Sequence, residues 1–240
     1  MKKYMKPNHY VGALRTFSTI AALIAVVAMA GTKETGYHPA IDPSNFSHVV
    51  NNPYFPLVPG TTLVYNEKDG DILFERRVTV THDTRMIMGV KCVIVRDLVM
   101  ENGQVQEDTV DWYAQDKQGT VWYFGEASRE FKGGGRISTE GSWEAGINGQ
   151  PGIIMPAHPA PAVPYRQEYS PNVAEDMGQV VAVNETVTVP FGSFAACVHT
   201  KEWSMLESGT EKKWYAKGIG EVRIESARGE VMSLISVKKE

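Results

Sequence analysis

The chain has 240 residues, with 24 Lys and Arg against 28 Asp and Glu, and a net charge of −4. This balance, without any basic cluster, excludes a nucleic-acid binder, whose phosphate partner needs grouped Lys and Arg. The length allows one β-rich domain with a sizeable core, or two small ones.

Lys2, Lys3, Lys6 and Arg15 make the N-terminus basic, and an apolar run (IAALIAVVAMA, residues 20–30) follows. The run is shorter than the roughly 20 residues a membrane span needs. With Ala28-Met29-Ala30 as a small-residue cleavage site, residues 1–30 read as a signal peptide, with an uncleaved anchor as the alternative. No cysteine marks a lipidation site there. Removing four basic and no acidic side chains takes the remainder from −4 to −8. The expected product is periplasmic or secreted, with no stable transmembrane span after cleavage.

Residues 31–60 read as an extended arm. Pro43, Pro53, Pro56 and Pro59 favour extended and turn backbone, with Phe46, Tyr54 and Phe55 as anchors. From Thr61 the pattern is β. TTLVY and ILFERRVTVT flank a turn at Lys68-Asp69-Gly70, Asn102-Gly103 joins VKCVIVRDLV to QVQEDTVDWYA, and Asp116 to Gly119 turns the chain into TVWYFGE. REFKGGGRIST bends at its triple glycine. No window before residue 150 carries a helical period of helix length.

Trp112-Tyr113-Ala114, followed by Gly119 and Val121, is echoed by Trp214-Tyr215-Ala216, Gly220 and Val222. A Val-Thr-Val and a cysteine precede both: Val78 to Val80 and Cys92, then Val187 to Val189 and Cys197. The order predicts two related β-meanders, about 61–131 and 179–237, packed together within a β domain over 61–240. The fold class is mainly antiparallel β, a curved sheet or open barrel. Cys92 and Cys197 can form a disulfide, stay as two buried thiols, or serve a nucleophile or metal site with His199; an oxidising compartment ranks these in that order.

A Pro/Gly-rich insert, 141–176, separates the copies, and such long irregular segments serve as lids, binding loops or structured coverings. Its candidate ligand-binding residues are Trp143, Glu144, Arg166, Glu168 and Tyr169. Arg166 and Glu168 alternate along YRQEY and should share a face as a rim ion pair, while Glu175-Asp176 suits the start of a short helix. Met155 and His158 lack further ligands at metal spacing. There is no CxxC, HExxH, Walker loop or GxSxG, so no cofactor or catalytic motif is indicated. Glu107, Asp108 and Asp111 read as the solvated face of a strand.

The blocks IDPSNFSHVVNNPYFPLVPGTTLVY, DWYAQDKQGTVWYFGE, GSWEAGINGQPGIIMPAHP, YRQEYSPNVAED and EKKWYAKGIGEV resemble a family of exported bacterial proteins with no assigned activity. The resemblance runs from about Ile41 to Val222 and implies a secreted or periplasmic bacterial protein. The closing block is more loosely similar to lipoprotein-carrier-like open barrels. The expected function is a cell-envelope binding or carrier module for an apolar or amphipathic small ligand, a lipid, glycan or aromatic compound. The alternatives are an envelope hydrolase using Glu144 with His158 or Glu168 with Arg166, and a structural envelope protein. The sequence leaves oligomeric state open.

Overall fold

The computed structural model describes residues 36–240; the expected signal peptide lies outside the described residues. A 3-10 turn at Pro43–Asn45 precedes a small hairpin of β1 (Val50–Asn52) and β2 (Phe55–Leu57). The arm is therefore not wholly irregular, because its asparagine-proline turn lets two short extended pieces pair. Long strands follow: β3 (Thr61–Asp69), β4 (Ile72–Ile87), β5 (Val90–Glu101), β6 (Gln104–Gln115) and β7 (Val121–Lys132). The insert contributes β8 (Arg136–Ser138), β9 (Trp143–Glu144), β10 (Gln150–Met155), β11 (Tyr165–Arg166) and β12 (Glu168–Tyr169). The chain closes with β13 (Asp176–Val189), β14 (Gly192–Ser204), β15 (Glu211–Ala216), β16 (Gly220–Ser226) and β17 (Val231–Lys239). No α-helix occurs among the described residues, and Asp176 opens a strand where a short helix was expected.

The pairs are antiparallel, in the order β11-β13-β14-β15-β16-β17-β3-β4-β5-β6-β7-β10-β12, with β8 and β9 also on β7. The two ends of this path, β11 and β12, are successive pieces of one stretch. The sheet curls until residues 165–169 touch both edges, a barrel with a single unsealed seam. The insert is thus part of the wall, more than a lid over it. Gln167 sits at the seam against two glycines, Gly152 of β10 and Gly178 of β13. A Cβ on Gly152 would lie 2.2 Å from the Gln167 carbonyl oxygen, and one on Gly178 would lie 2.8 Å from the Gln167 side chain.

Turns follow the sequence signals. Asn102 and Gly103 both take positive φ, 51° and 78°, as a tight hairpin turn requires. Asp116 fixes its turn by accepting from the backbone N–H of Gln118 (3.0 Å) and Thr120 (2.9 Å) and from the Trp122 indole (2.9 Å).

The two hairpins β4–β5 and β13–β14 carry the landmarks of the doubled motif. Cys92 pairs with Arg85, and Ile94, two residues on, pairs with Trp112. Cys197 pairs with Glu185, and His199, two residues on, pairs with Trp214. Each Trp-Tyr strand also carries a register shift against the next strand, so that Tyr113 and Asp111 face Tyr123 and Glu126, while Tyr215 and Lys213 face Glu221 and Ile224. The Val-Thr-Val segments differ in place: Val78 pairs with Asp97, far from its turn, whereas Val187 pairs with Phe194, beside its turn. Both cysteines are free and fully buried, in different hydrophobic clusters. Of the readings the sequence left open, the structure has the two separate thiols.

Candidate functional site

Period-two alternation places one face of each strand on the barrel lumen. A cavity of about 90 Å³ lies there. Tyr65, Tyr113, Tyr123 and Tyr215 supply its aromatic wall, with Leu63, Val78, Val95 and Ile154. Arg76, Asp97, Asp111, Lys213 and Glu221 supply its charge. The arm adds to this lining with Phe55, Pro56 and Leu57. Phe55 stands edge-on to Tyr113 at 5.2 Å and tilts against Tyr215 at 6.4 Å. The arm is tied down by Gln115, whose side-chain oxygen accepts from the backbone N–H of Asn51 (2.8 Å) and Asn52 (2.7 Å).

The lumen holds many buried carboxyls and two buried bases. Arg76 donates to both Asp97 oxygens (2.9 and 2.8 Å from Nε). Lys213 lies 2.9 Å from Glu202 and 3.5 Å from Glu211. Burial pulls the Lys213 ammonium down, but Glu202 and Glu211 outweigh it and hold it above its ordinary value. Burial pushes the Glu67 and Glu221 carboxyls up to about 7, against the pull of Arg76 on the first and of Lys213 and Arg76 on the second. Burial also raises Glu211.

A second group of carboxyls has neutral donors. The Tyr123 hydroxyl lies 2.5 Å from Asp111 Oδ1 and 3.0 Å from Glu126 Oε2. One phenolic hydrogen serves one oxygen, so both contacts are hydrogen bonds only when one of the two carboxyls is protonated and donates back to the phenol oxygen. The Trp143 indole donates to Glu168 Oε2 at 3.1 Å. The other Glu168 oxygen is buried without a hydrogen-bond partner. Burial, reinforced by neighbouring carboxylates, holds Asp111 and Glu168 well above the usual carboxylate range.

The five residues singled out from the sequence fall into three places, and none borders the cavity directly. Trp143 is buried and stands edge-on to Tyr123 at 5.6 Å, in contact with Glu168. Glu144 instead turns to β4 and pairs with Arg85 at 2.6 Å. Arg166 lies 4.8 Å over the Tyr169 ring and 3.6 Å from Glu175, so its ion partner is Glu175 where Glu168 was expected. The reason is burial: Glu168 is sealed behind the wall, while Arg166 stays near the surface. His158 is exposed and Met155 is fully buried, so these two do not share a site.

The sequence reading missed the lumen acids. Glu107 and Asp111 are buried inside the barrel; only Asp108 turns outward, to Arg96 (2.8 Å) and Arg129 (2.7 Å). The available signal was the doubled motif itself, which sets Asp111-Trp112-Tyr113 beside Lys213-Trp214-Tyr215. A charge at the same place in both copies points to a common face, and Tyr113 and Tyr215 mark that face as the inner one.

No protein-family model matches the chain, and no curated protein does. Two solved structures are similar in fold. One is a Bacteroides fragilis NCTC 9343 protein, provisionally named as exported and with a YmcC-like fold, at 18% identity and a TM-score of 0.48, covering 78% of this chain and 99% of that one. The other is a Parabacteroides distasonis ATCC 8503 protein, provisionally named a lipoprotein, at 13% identity and a TM-score of 0.43, with the same coverage. No helix among the described residues is long and apolar enough to cross a membrane.

Proposed function

We propose that this is an exported cell-envelope binding or carrier module that takes an apolar or amphipathic small ligand in its barrel lumen. The observation that carries the reading is the aromatic-walled cavity against which the arm packs. Phe55 and Leu57 of the arm cover an aromatic wall with charged groups beyond it. Ligand pockets are concave and mostly apolar, with a few placed polar groups. A cavity of about 90 Å³ is smaller than the several hundred Å³ such ligands occupy. Binding therefore displaces the β1–β2 hairpin, and Phe55 and Leu57 hold the ligand's place in its absence. On the same reading residues 1–30 are a cleaved signal, and residues 61–131 and 179–237 are two related β-meanders.

The test is native mass spectrometry of the protein taken from its own envelope fraction, beside a denatured sample. A mass lost on denaturation, and a larger loaded fraction in Phe55→Ala/Leu57→Ala, are the expected results. Clean apo masses for both forms would set the carrier reading aside.

A further inference from the structure

The polar groups around the lumen cavity are mostly spent on one another. Three of the four wall tyrosines give their hydroxyl to the protein: Tyr65 to the Glu221 carbonyl (2.9 Å), Tyr123 to Asp111 (2.5 Å) and Tyr215 to Glu202 (3.1 Å). Arg76 is taken by Asp97, and Lys213 by Glu202 and Glu211. Two groups of the cavity lining differ. The Tyr113 hydroxyl and the Glu221 carboxyl form no hydrogen bond among the described residues.

The arm lies between the strands that carry these two groups. Phe55 meets Tyr113 edge-on at 5.2 Å and tilts against Tyr215 at 6.4 Å, and Tyr215 pairs across the strands with Glu221. A Cβ on Gly220, beside Glu221, would lie 3.9 Å from the Pro56 ring. A ligand in the place of Phe55 therefore comes between a phenol and a carboxyl. Satisfying both takes a group that accepts the phenol hydrogen and donates to the carboxylate. A hydroxyl does both, whereas an ammonium only donates and a carboxylate only accepts. Charge argues the same way. Arg76 lies 4.0 Å from Glu221 and Lys213 also draws on it, so a third cation is repelled there. An anion would meet Glu221 and Asp97, both in the cavity lining.

We propose that the ligand is a neutral, hydroxyl-bearing amphiphile, its hydroxyl held between Tyr113 and Glu221 and its apolar body against the tyrosine wall in the place of Phe55. This rests on the carrier reading above and adds the chemistry of the ligand's head. Tyr113 and Glu221 then set specificity, because a site built to hydrogen-bond a hydroxyl rejects an analogue that leaves its polar groups unpaired.

Isothermal titration of octanol, methyl heptyl ether, octylammonium and octanoate separates this proposal from the carrier reading. The ether has the same atoms as octanol but no hydrogen to donate. The probes stay below their aggregation concentrations and are titrated into wild type and into the Phe55→Ala/Leu57→Ala form, so that the arm does not hide binding. Octanol is expected to bind about tenfold tighter than the ether, with both ions weaker than octanol. Tyr113→Phe/Glu221→Met should erase the preference for octanol over the ether and leave ether affinity unchanged, which also reports that the variant is folded. If the ether matches octanol, if either ion binds tighter than octanol, or if the preference survives the double substitution, the hydroxyl proposal fails while the carrier reading stands. If no probe binds either form, both fall. Should the double variant lose the ether as well, the ranking of the four probes on the unsubstituted lumen still decides.

Discussion

The β4–β7 and β13–β16 meanders share a frame and differ in charge. In each, a cysteine sits two residues before the partner of a tryptophan, and a register shift follows at the Trp-Tyr pair. Within that frame Asp111 occupies the place of Lys213, Glu126 that of Ile224, and Tyr123 that of Glu221. On the outer face Arg85 lies 4.5 Å over Trp112, where Glu185 accepts the Trp214 indole N–H at 2.6 Å. The backbone therefore does not dictate the polarity of these positions. The β13–β16 meander sets Lys213 beside Glu202 at this place, whereas the β4–β7 meander, whose Arg76 pairs with Asp97, sets Asp111 against the hydroxyl of Tyr123.

Removing the lysine breaks the contrast most directly. Lys213→Met strands Glu202 and Glu211 without their base, and breaking a buried ion pair from one side costs about 3–5 kcal/mol. The matching change in the other meander, Asp111→Asn, replaces a carboxyl that burial already favours in its neutral form, so it should fall within about 1 kcal/mol of wild type. Urea unfolding at constant pH reads both. Equal losses would mean that the two sides of the lumen are not electrostatically different.

A smaller effect comes from Glu221 and Glu67. Their folded values of about 7 stand above the ordinary 4.5, so the folded state holds protons that the unfolded chain releases between these values. Their contribution is complete below 4.5 and lost as pH rises through about 7. Unfolding free energy should fall by a few kcal/mol between about pH 5 and about pH 8. Glu221→Gln should flatten part of that slope. A slope that rises over this window would contradict the burial of these carboxyls.

Much of this architecture was legible in the sequence. Asn102-Gly103, the β-rich runs and the doubled Trp-Tyr-Ala motif gave strands, turns and a curved antiparallel sheet. The direction of the acids was not legible. Along β6 Glu107, Thr109, Asp111 and Tyr113 share one face, and Asp108, Val110 and Trp112 the other, so both faces mix polar with apolar. Hydropathy alternation assigns a face only when one side is apolar and the other wet. Here Trp112 is buried on the outer side as well, under Arg85, and the usual cue disappears. The meeting of Trp143 with Glu168, 25 positions apart, was equally hidden. It depends on how Gly152 and Gly178 admit Gln167 at the seam, a tertiary fit with no local signature.

The outer tryptophans give the finest test. Glu185 takes hydrogen bonds from Trp214 and from His199 Nδ1 (2.9 Å), and these hold its carboxyl below the ordinary value against a small opposing burial. Its contribution is therefore present above the unfolded carboxyl range and lost as pH falls through the lower folded value. Because Glu185 is only partly buried, Glu185→Leu should cost at most about 1 kcal/mol at neutral pH. That cost should shrink in acid. Arg85→Leu removes a cation over Trp112 and a surface pair with Glu144, worth a similar or smaller amount, about 0.5 kcal/mol. Part of its cost should remain in acid, because the contact of a guanidinium with an aromatic face does not depend on a carboxylate. Unfolding curves at neutral pH and in acid for both variants distinguish these outcomes. Identical pH responses would mean that the carboxylate behind Trp214 and the guanidinium over Trp112 act only as packing, and that the charge contrast between the meanders is confined to the lumen.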